Sequence, residues 1–160
     1  MIEIYTDGSC YNGRRVGVWA AILFIAGEKI VLSDLETGAT NHRMELAAVI
    51  KAIEYVRDKH PSAKAVRIVS DSQYVIGLAR RKTKFLLTDF KTKKGNDIRN
   101  VDLMKQLLEL HEVIDVEYVK IKAHQQPTET ANYNIEADML ARKILRDYFK
   151  DGNIVWRTKQ

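Results

Sequence analysis

The sequence predicts an α/β fold: one five-stranded mixed sheet, its first three strands antiparallel, with helices on its faces. Two observations carry that expectation. Three runs rich in apolar, β-branched and aromatic residues follow one another with short polar turns between them, the pattern of an antiparallel meander. Amphipathic stretches of helical period then alternate with two further short apolar runs, which requires crossovers and parallel pairing.

The elements follow in order. Ile2-Glu3-Ile4-Tyr5-Thr6 alternates side-chain character and reaches Gly8 directly after Asp7. A strand is therefore expected to end there, with the Asp7 carboxylate at its tip and small residues beside it. A polar turn over 11–15 holds Asn12 and Gly13, and residues 16–25 form a long apolar run with Trp19 and Phe24. Residues 29–35 read as a third strand, closed by Gly38. Thr40 or Asn41 can cap a helix in which Leu46, Val49, Ile50, Ile53 and Val56 recur at helical spacing, and Pro61 stops it. Glu45 is expected in its first turn. Residues 65–69 make a fourth strand, and Ser72 can cap a helix running from Gln73 towards Ala79. Asp71 then stands at the carboxyl end of a parallel strand, where open α/β sheets place their ligands. A short helix over 83–90, an amphipathic helix over 101–110 and a strand over 116–121 come next. After a polar loop over 125–134, a last helix carries Ala137, Leu140, Ala141, Ile144 and Tyr148 on one face and Asp138 in its early part.

A single domain is expected over residues 1–150, with 151–160 a polar tail. Hydrophobic residues make up 46% and charged residues 29%, which excludes a disordered chain. One cysteine, Cys10, excludes an internal disulfide and points to a reducing compartment. No apolar run of membrane-spanning length and no basic leader is present, so neither a membrane span nor secretion is expected. The net charge of +5 favours a polyanionic partner. It is concentrated in Arg80, Arg81, Lys82, Lys84, Lys91, Lys93, Lys94 and Arg99, opposed only by Asp89 and Asp97 and interleaved with Phe85 and Phe90.

Four acids recur at element ends: Asp7, Glu45, Asp71 and Asp138. Taken singly, each has an ordinary reading as a solvated strand-end acid or as a helix-start acid favoured by the helix dipole. No spacing rule links them. The motifs around them do more. Thr6-Asp7-Gly8-Ser9-Cys10, Thr40-Asn41-His42-Arg43-Met44-Glu45-Leu46, Ser70-Asp71-Ser72-Gln73-Tyr74-Val75, Asn100-Val101-Asp102-Leu103 and Ala137-Asp138-Met139-Leu140-Ala141-Arg142 occur in that order, and with them the chain resembles type 1 ribonuclease H over almost its whole length.

The resemblance implies a ribonuclease H-like fold in which Asp7, Glu45, Asp71 and Asp138 form one cluster binding two Mg²⁺ ions, or Mn²⁺ in their place, with Glu136 the alternative to Asp138. It implies hydrolysis of the RNA strand of RNA–DNA hybrids, leaving 5′-phosphate and 3′-hydroxyl ends. His124 would act from a loop in proton transfer or product release. Cys10, Asn12, Asn41 and Gln73 would read the minor groove, and Thr40 would hold a DNA phosphate. Arg80, Arg81, Lys82, Lys84, Lys93 and Lys94 would belong to a substrate-binding protrusion over 80–99, with Phe85 and Phe90 standing in for its usual tryptophans. The family role is removal of RNA primers and R-loops, expected here of a free-standing cytoplasmic monomer without an obligate protein partner.

Elementary electrostatics agrees with the implied metal set. Two carboxylates about 4 Å apart repel by roughly 4 kcal/mol at an effective dielectric near 20, so four together make sense chiefly around cations. Hard oxygen donors without Cys or clustered His select Mg²⁺, Mn²⁺ or Ca²⁺ rather than zinc. Two other readings remain open at this point: a hybrid-binding domain that does not cut, and a related DNA-cutting enzyme such as a transposase or resolvase. The four acids argue against the first, and the implied readers of the 2′-hydroxyl against the second.

Overall fold

Val16 to Ile25 is apolar at nearly every position, a composition that suits a strand covered on both faces. The computed structural model, which describes residues 1–11, 13–122 and 132–159 and side chains as far as residue 150, buries that run accordingly. Its elements are β1 (Ile2–Tyr11), β2 (Val16–Ile25), β3 (Glu28–Thr37), α1 (Asn41–Lys59), β4 (Ala65–Ser70), α2 (Gln73–Arg80), α3 (Lys82–Leu87), α4 (Val101–Val113), β5 (Asp115–Lys120) and α5 (Tyr133–Lys159). The strands form one sheet in the order β3-β2-β1-β4-β5. β1, β2 and β3 pair antiparallel, whereas β4 runs parallel to both β1 and β5, which is the predicted mixed sheet.

Two layers cover this sheet. On one face α1 lies at the centre, and Leu46, Ile50 and Ile53 meet Ile4, Leu23 and Ile68 in the larger core, which Val75, Leu107 and Phe85 extend. Ala47, Ala48 and Ala52 let the helix sit close to the strands. On the other face, among the described residues, α5 packs through Ala137, Ala141 and Leu145 against Val18, Ala20 and Ile22. Successive residues of a strand point to opposite faces. Ile4 accordingly belongs to the α1 core, and Tyr5 packs on the α5 side.

Four expectations need correction. β1 does not stop at Gly8; it runs through to Tyr11, with Asp7 opposite Ala20 and Gly8 opposite Trp19 in an unbroken antiparallel register. Gly8 is needed for packing instead, because a Cβ there would lie 2.5 Å from the Glu45 amide nitrogen and 2.6 Å from the Met44 carbonyl carbon. Glu45 is the fifth residue of α1, past the first turn, since the helix begins at Asn41 behind its Thr40 cap. Phe85 and Phe90 are not presented to a ligand: both are buried, because the basic segment folds back onto the core. The fourth concerns the chain end, where α5 continues helical to Lys159 in place of a tail.

The basic segment is therefore a built structure. α3 is short, and the backbone turns beyond it through left-handed conformations at Asp89 and Phe90. The Phe90 N–H donates to the Phe85 carbonyl at 2.8 Å and its own carbonyl accepts from Ile98 at 2.9 Å. Burial of the two phenyl rings offsets the cost of left-handed backbone at non-glycine residues. Among the described residues no helix is long and apolar enough to cross a membrane.

Candidate active site

The parallel ladder between β1 and β4 ends at Tyr5 and Val69. Beyond it the two strands part, and an open cleft of about 530 Å³ forms at the carboxyl end of β4. This is the position where an open α/β sheet offers a crevice for ligands. Asp7, Glu45, Asp71 and Asp138 all line it, so the fold brings together four residues whose first and last members are 131 positions apart in the chain. Asn41, Gln73 and Cys10 edge the same cleft.

Each acid reaches the cleft by a different local device. Asp7 comes from the middle of β1, and its carboxylate accepts from the Gly8 N–H at 2.9 Å and meets Asp138. Asp138 is carried in from α5, whose Ala137 and Ala141 permit close approach to β1 and β2. On the opposite face of the strand, Gly8 lets the backbone of α1 come near enough to bring Glu45 in. Asp71 follows the last residue of β4 directly. Adjacent residues of one strand thus gather acids from both sides of the sheet.

Protein donors hold these carboxylates in place. Ser72 caps α2, accepting from the Val75 N–H at 3.1 Å, and its hydroxyl donates to Glu45. Asn134 donates to Asp71 at 3.5 Å, and the Arg142 Nε donates to Asp138 at 3.1 Å. Among the described residues no Lys or Arg forms an ion pair with Asp7, Glu45 or Asp71. The electrostatic consequence falls on Asp7, only 8% exposed. Burial first, then the bond with Asp138 and the charge of Asp71, push its pKa up to about 8. Burial also raises Glu45, partly opposed by the Ser72 hydroxyl.

The donor set is all carboxylate oxygen, it is short of positive charge, and it includes a buried acid that resists ionisation. Beside it, the carbonyl oxygen of Asn134, a residue 4% exposed, has no partner among the described residues. That chemistry fits hard divalent cations. As they stand, no three His, Cys, Asp or Glu side chains among the described residues converge on one point closely enough to hold an ion. Ser72, Asn134 and Arg142 each engage one of the acids instead.

The other predicted residues are placed as follows. Cys10 is half-buried, and its thiol donates to the Ala39 carbonyl at 3.3 Å. Thr40 is exposed at the α1 N-cap, where its hydroxyl accepts from the Arg43 N–H at 3.2 Å. Asn12 and His124 lie outside the described residues. Arg80, Arg81, Lys84, Lys93 and Lys94 are exposed and Lys82 is half-buried; none of them lines the carboxylate cleft. Arg81 is turned back onto its own helix, donating to the Gly77 carbonyl and covering the Phe85 ring at 5.2 Å. Glu136 pairs with Lys29, which leaves Asp138 as the α5 acid of the cleft.

Sequence reasoning missed the residues that hold the acids. Ser72 was legible as a cap but its bond to Glu45 was not. Arg142 stands four residues after Asp138, a spacing at which helix side chains meet, so that pair had a signal. A further arrangement had none. The His42 ring stacks on Tyr74 at 4.2 Å and 8° between planes. Tyr74 accepts from Asn100 at 2.9 Å, Asn100 accepts from Arg43, and Arg43 forks onto Asp102. This chain of contacts joins the cleft rim to the start of α4.

Comparison with known proteins agrees with this geometry. The sequence profile of the RNase H family matches residues 1–146. Ribonuclease H of Caldicellulosiruptor saccharolyticus is 33% identical over 148 residues, covering 91% of this chain and 97% of the relative. Ribonuclease H of a Thermoanaerobacter species is 35% identical over 153 residues, with 91% and 90% covered. That of Chlorobium luteolum is 35% identical over 147 residues, with 91% and 95% covered. With the sheet order, the carboxylate cleft and these matches in agreement, the chain belongs to the RNase H family.

Proposed function

We propose that this protein is a divalent-cation-dependent endonuclease that hydrolyses the RNA strand of RNA–DNA hybrids, leaving 5′-phosphate and 3′-hydroxyl ends. The observation that carries this reading is the cleft itself: four carboxylates, three of them without a cationic partner among the described residues, on the fold of this family. Asp7, Glu45, Asp71 and Asp138 would hold two Mg²⁺, or Mn²⁺. Two such ions supply an activated water and stabilise the leaving oxygen of an in-line displacement.

The chain's own part is orientation and access. Ser72 aims the Glu45 carboxylate, Asn134 that of Asp71, and the Gly8 amide that of Asp7. Gly8, Ser9 and Cys10 keep the floor low, so that a bulky duplex can reach the acids. Asn41, Gln73 and Cys10 stand where a minor groove would lie, and contacts to 2′-hydroxyls there would distinguish RNA from DNA. Asn12 and Thr40 join this substrate set, and His124 takes the proton-transfer or product-release role. Arg80, Arg81, Lys82, Lys84, Lys93 and Lys94 bind the duplex backbone by charge, without an aromatic contribution from Phe85 or Phe90. The role of such an enzyme is removal of RNA primers and R-loops, performed in the cytoplasm by a monomer.

Substrate choice tests the reading. With Mg²⁺, an end-labelled hybrid should be cut in its RNA strand, while single-stranded RNA and an all-DNA duplex of the same sequence should resist. Equal cutting of the all-DNA duplex would replace this reading with that of a DNA-cutting relative on the same fold.

A further inference from the structure

A second groove, of about 690 Å³, adjoins the carboxylate cleft. The two share Ser9 and Arg142, so they are continuous. This groove lies between the far end of β1 and the middle of α5, and no residue of the basic segment over 80–99 lines it. Arg14, Arg142 and Arg146 line it together with Tyr11 and Phe149. Arg142 and Arg146 are four residues apart on α5, the spacing that places side chains one above the other on a helix face. The Tyr11 and Phe149 rings lie 4.6 Å apart between centroids, and Tyr11 is 52% exposed.

We infer that this groove is a backbone subsite for the nucleic-acid strand that crosses the four carboxylates. The inference rests on the reading of the cleft as a nuclease site. A strand leaving that cleft past Ser9 and Arg142 enters a channel edged by guanidinium groups, which bind phosphate oxygens with fork geometry. Tyr11 offers an exposed aromatic face at the same place, and cationic side chains beside an aromatic face form the usual platform for a nucleic-acid strand. Arg142 has two tasks here, because it also pairs with Asp138. Arg146 does not line the carboxylate cleft, although it also borders a third pocket that Asp138 and Arg142 line, and so it probes binding outside that cleft. The basic segment and this groove lie at different places on the surface, so a duplex bound at both would be held at two points.

Equilibrium binding of a fluorescent RNA–DNA hybrid in EDTA, across a salt series, provides the test, because it needs no cleavage. Arg146→Gln should weaken binding several-fold and lower the slope of log affinity against log salt by about one. Arg146→Lys should restore much of both, and the thermal melt of either variant should match the wild type, since Arg146 is exposed. In steady-state cleavage Arg146→Gln should raise KM and leave kcat unchanged. A hybrid shortened from the end that enters the groove should lose affinity for the wild type and be blind to Arg146→Gln. Unchanged affinity and salt slope in Arg146→Gln would overturn the subsite. Absence of cleavage by the wild type, with the groove effects intact, would instead count against the nuclease reading.

Discussion

Asp7→Asn is expected to abolish hybrid cleavage, by at least about a hundredfold, while making the metal-free protein more heat-stable. Both effects have one cause. Asp7 is buried against Asp138 and near Asp71, so its ionised form is costly unless cations are bound. An amide of the same shape removes that cost, on the order of 2 kcal/mol, or about 4–8 °C in melting temperature for a chain of this size. The sign with pH follows from the raised pKa. The folded protein holds the Asp7 proton up to about pH 8, whereas the unfolded chain releases it near 3.8. In that window the native state binds more protons than the unfolded state, so stability is complete at low pH and falls as pH rises. Thermal melts in EDTA across this range should therefore decline for the wild type and decline less for Asp7→Asn. Added Mg²⁺ should stabilise the wild type at neutral pH and leave the variant unmoved. A variant that melts below the wild type in EDTA would contradict this account of the cleft.

Gly8→Ala is expected to damage stability and activity together. Its Cβ would meet the Glu45 nitrogen at 2.5 Å and the Met44 carbonyl carbon at 2.6 Å, and both are backbone atoms of a helix packed on the sheet. Relief requires α1 to lift from β1, at a cost of about 1–3 kcal/mol, or roughly 2–12 °C in melting temperature. Lifting the helix also withdraws Glu45, so kcat should fall by more than about tenfold. Gly77→Ala is the control. A Cβ there meets only the Arg81 Nη2, at 4.0 Å, inside α2, where alanine favours helix by up to about 1 kcal/mol. Equal melting temperatures for Gly8→Ala and the wild type would show that the close approach is not rigid.

Much of the scaffold was legible because local chemistry and tertiary demand coincide in it. The apolar run over 16–25 reads as the second strand of the meander, and β2 is that strand, buried at nearly every position. Ser72 reads as a cap and acts as one, and of the two candidates Thr40 and Asn41 it is Thr40 that caps α1. Asp71 after a parallel strand predicted its own place at the cleft. Where long-range packing overrode a local signal, the reading failed. Gly8 looks like a strand terminator by composition, yet it is a strand interior residue whose missing side chain admits a helix. Phe85 and Phe90 look like partners for bases amid so many cations, but the α2–α3 turn and the left-handed backbone at Phe90 bury both.

The candidate site was legible in a different way. Nothing in the spacing of Asp7, Glu45, Asp71 and Asp138 required them to meet; the motifs around them implied it, and the sheet order supplies the physical means. Ser72 and Asn134 are hidden for the same reason, because each reaches its carboxylate through the fold; Arg142 lies within one helical turn of the acid it holds and had a local signal. The second groove was invisible in sequence because its arginines come from a turn and from a helix more than a hundred residues later.

The most direct test of the central claim, that the four carboxylates act as one cation-dependent site on hybrid, is cleavage of a labelled RNA–DNA hybrid by the wild type and by Asp71→Asn, each with Mg²⁺ and with EDTA. Asp71 is only partly buried and its amide analogue keeps the side-chain shape, so the variant should fold and bind hybrid normally. RNA-strand cleavage is expected from the wild type in Mg²⁺ alone, and none from Asp71→Asn under either condition. Cleavage by Asp71→Asn at the wild-type rate, or by the wild type in EDTA, would contradict the central claim.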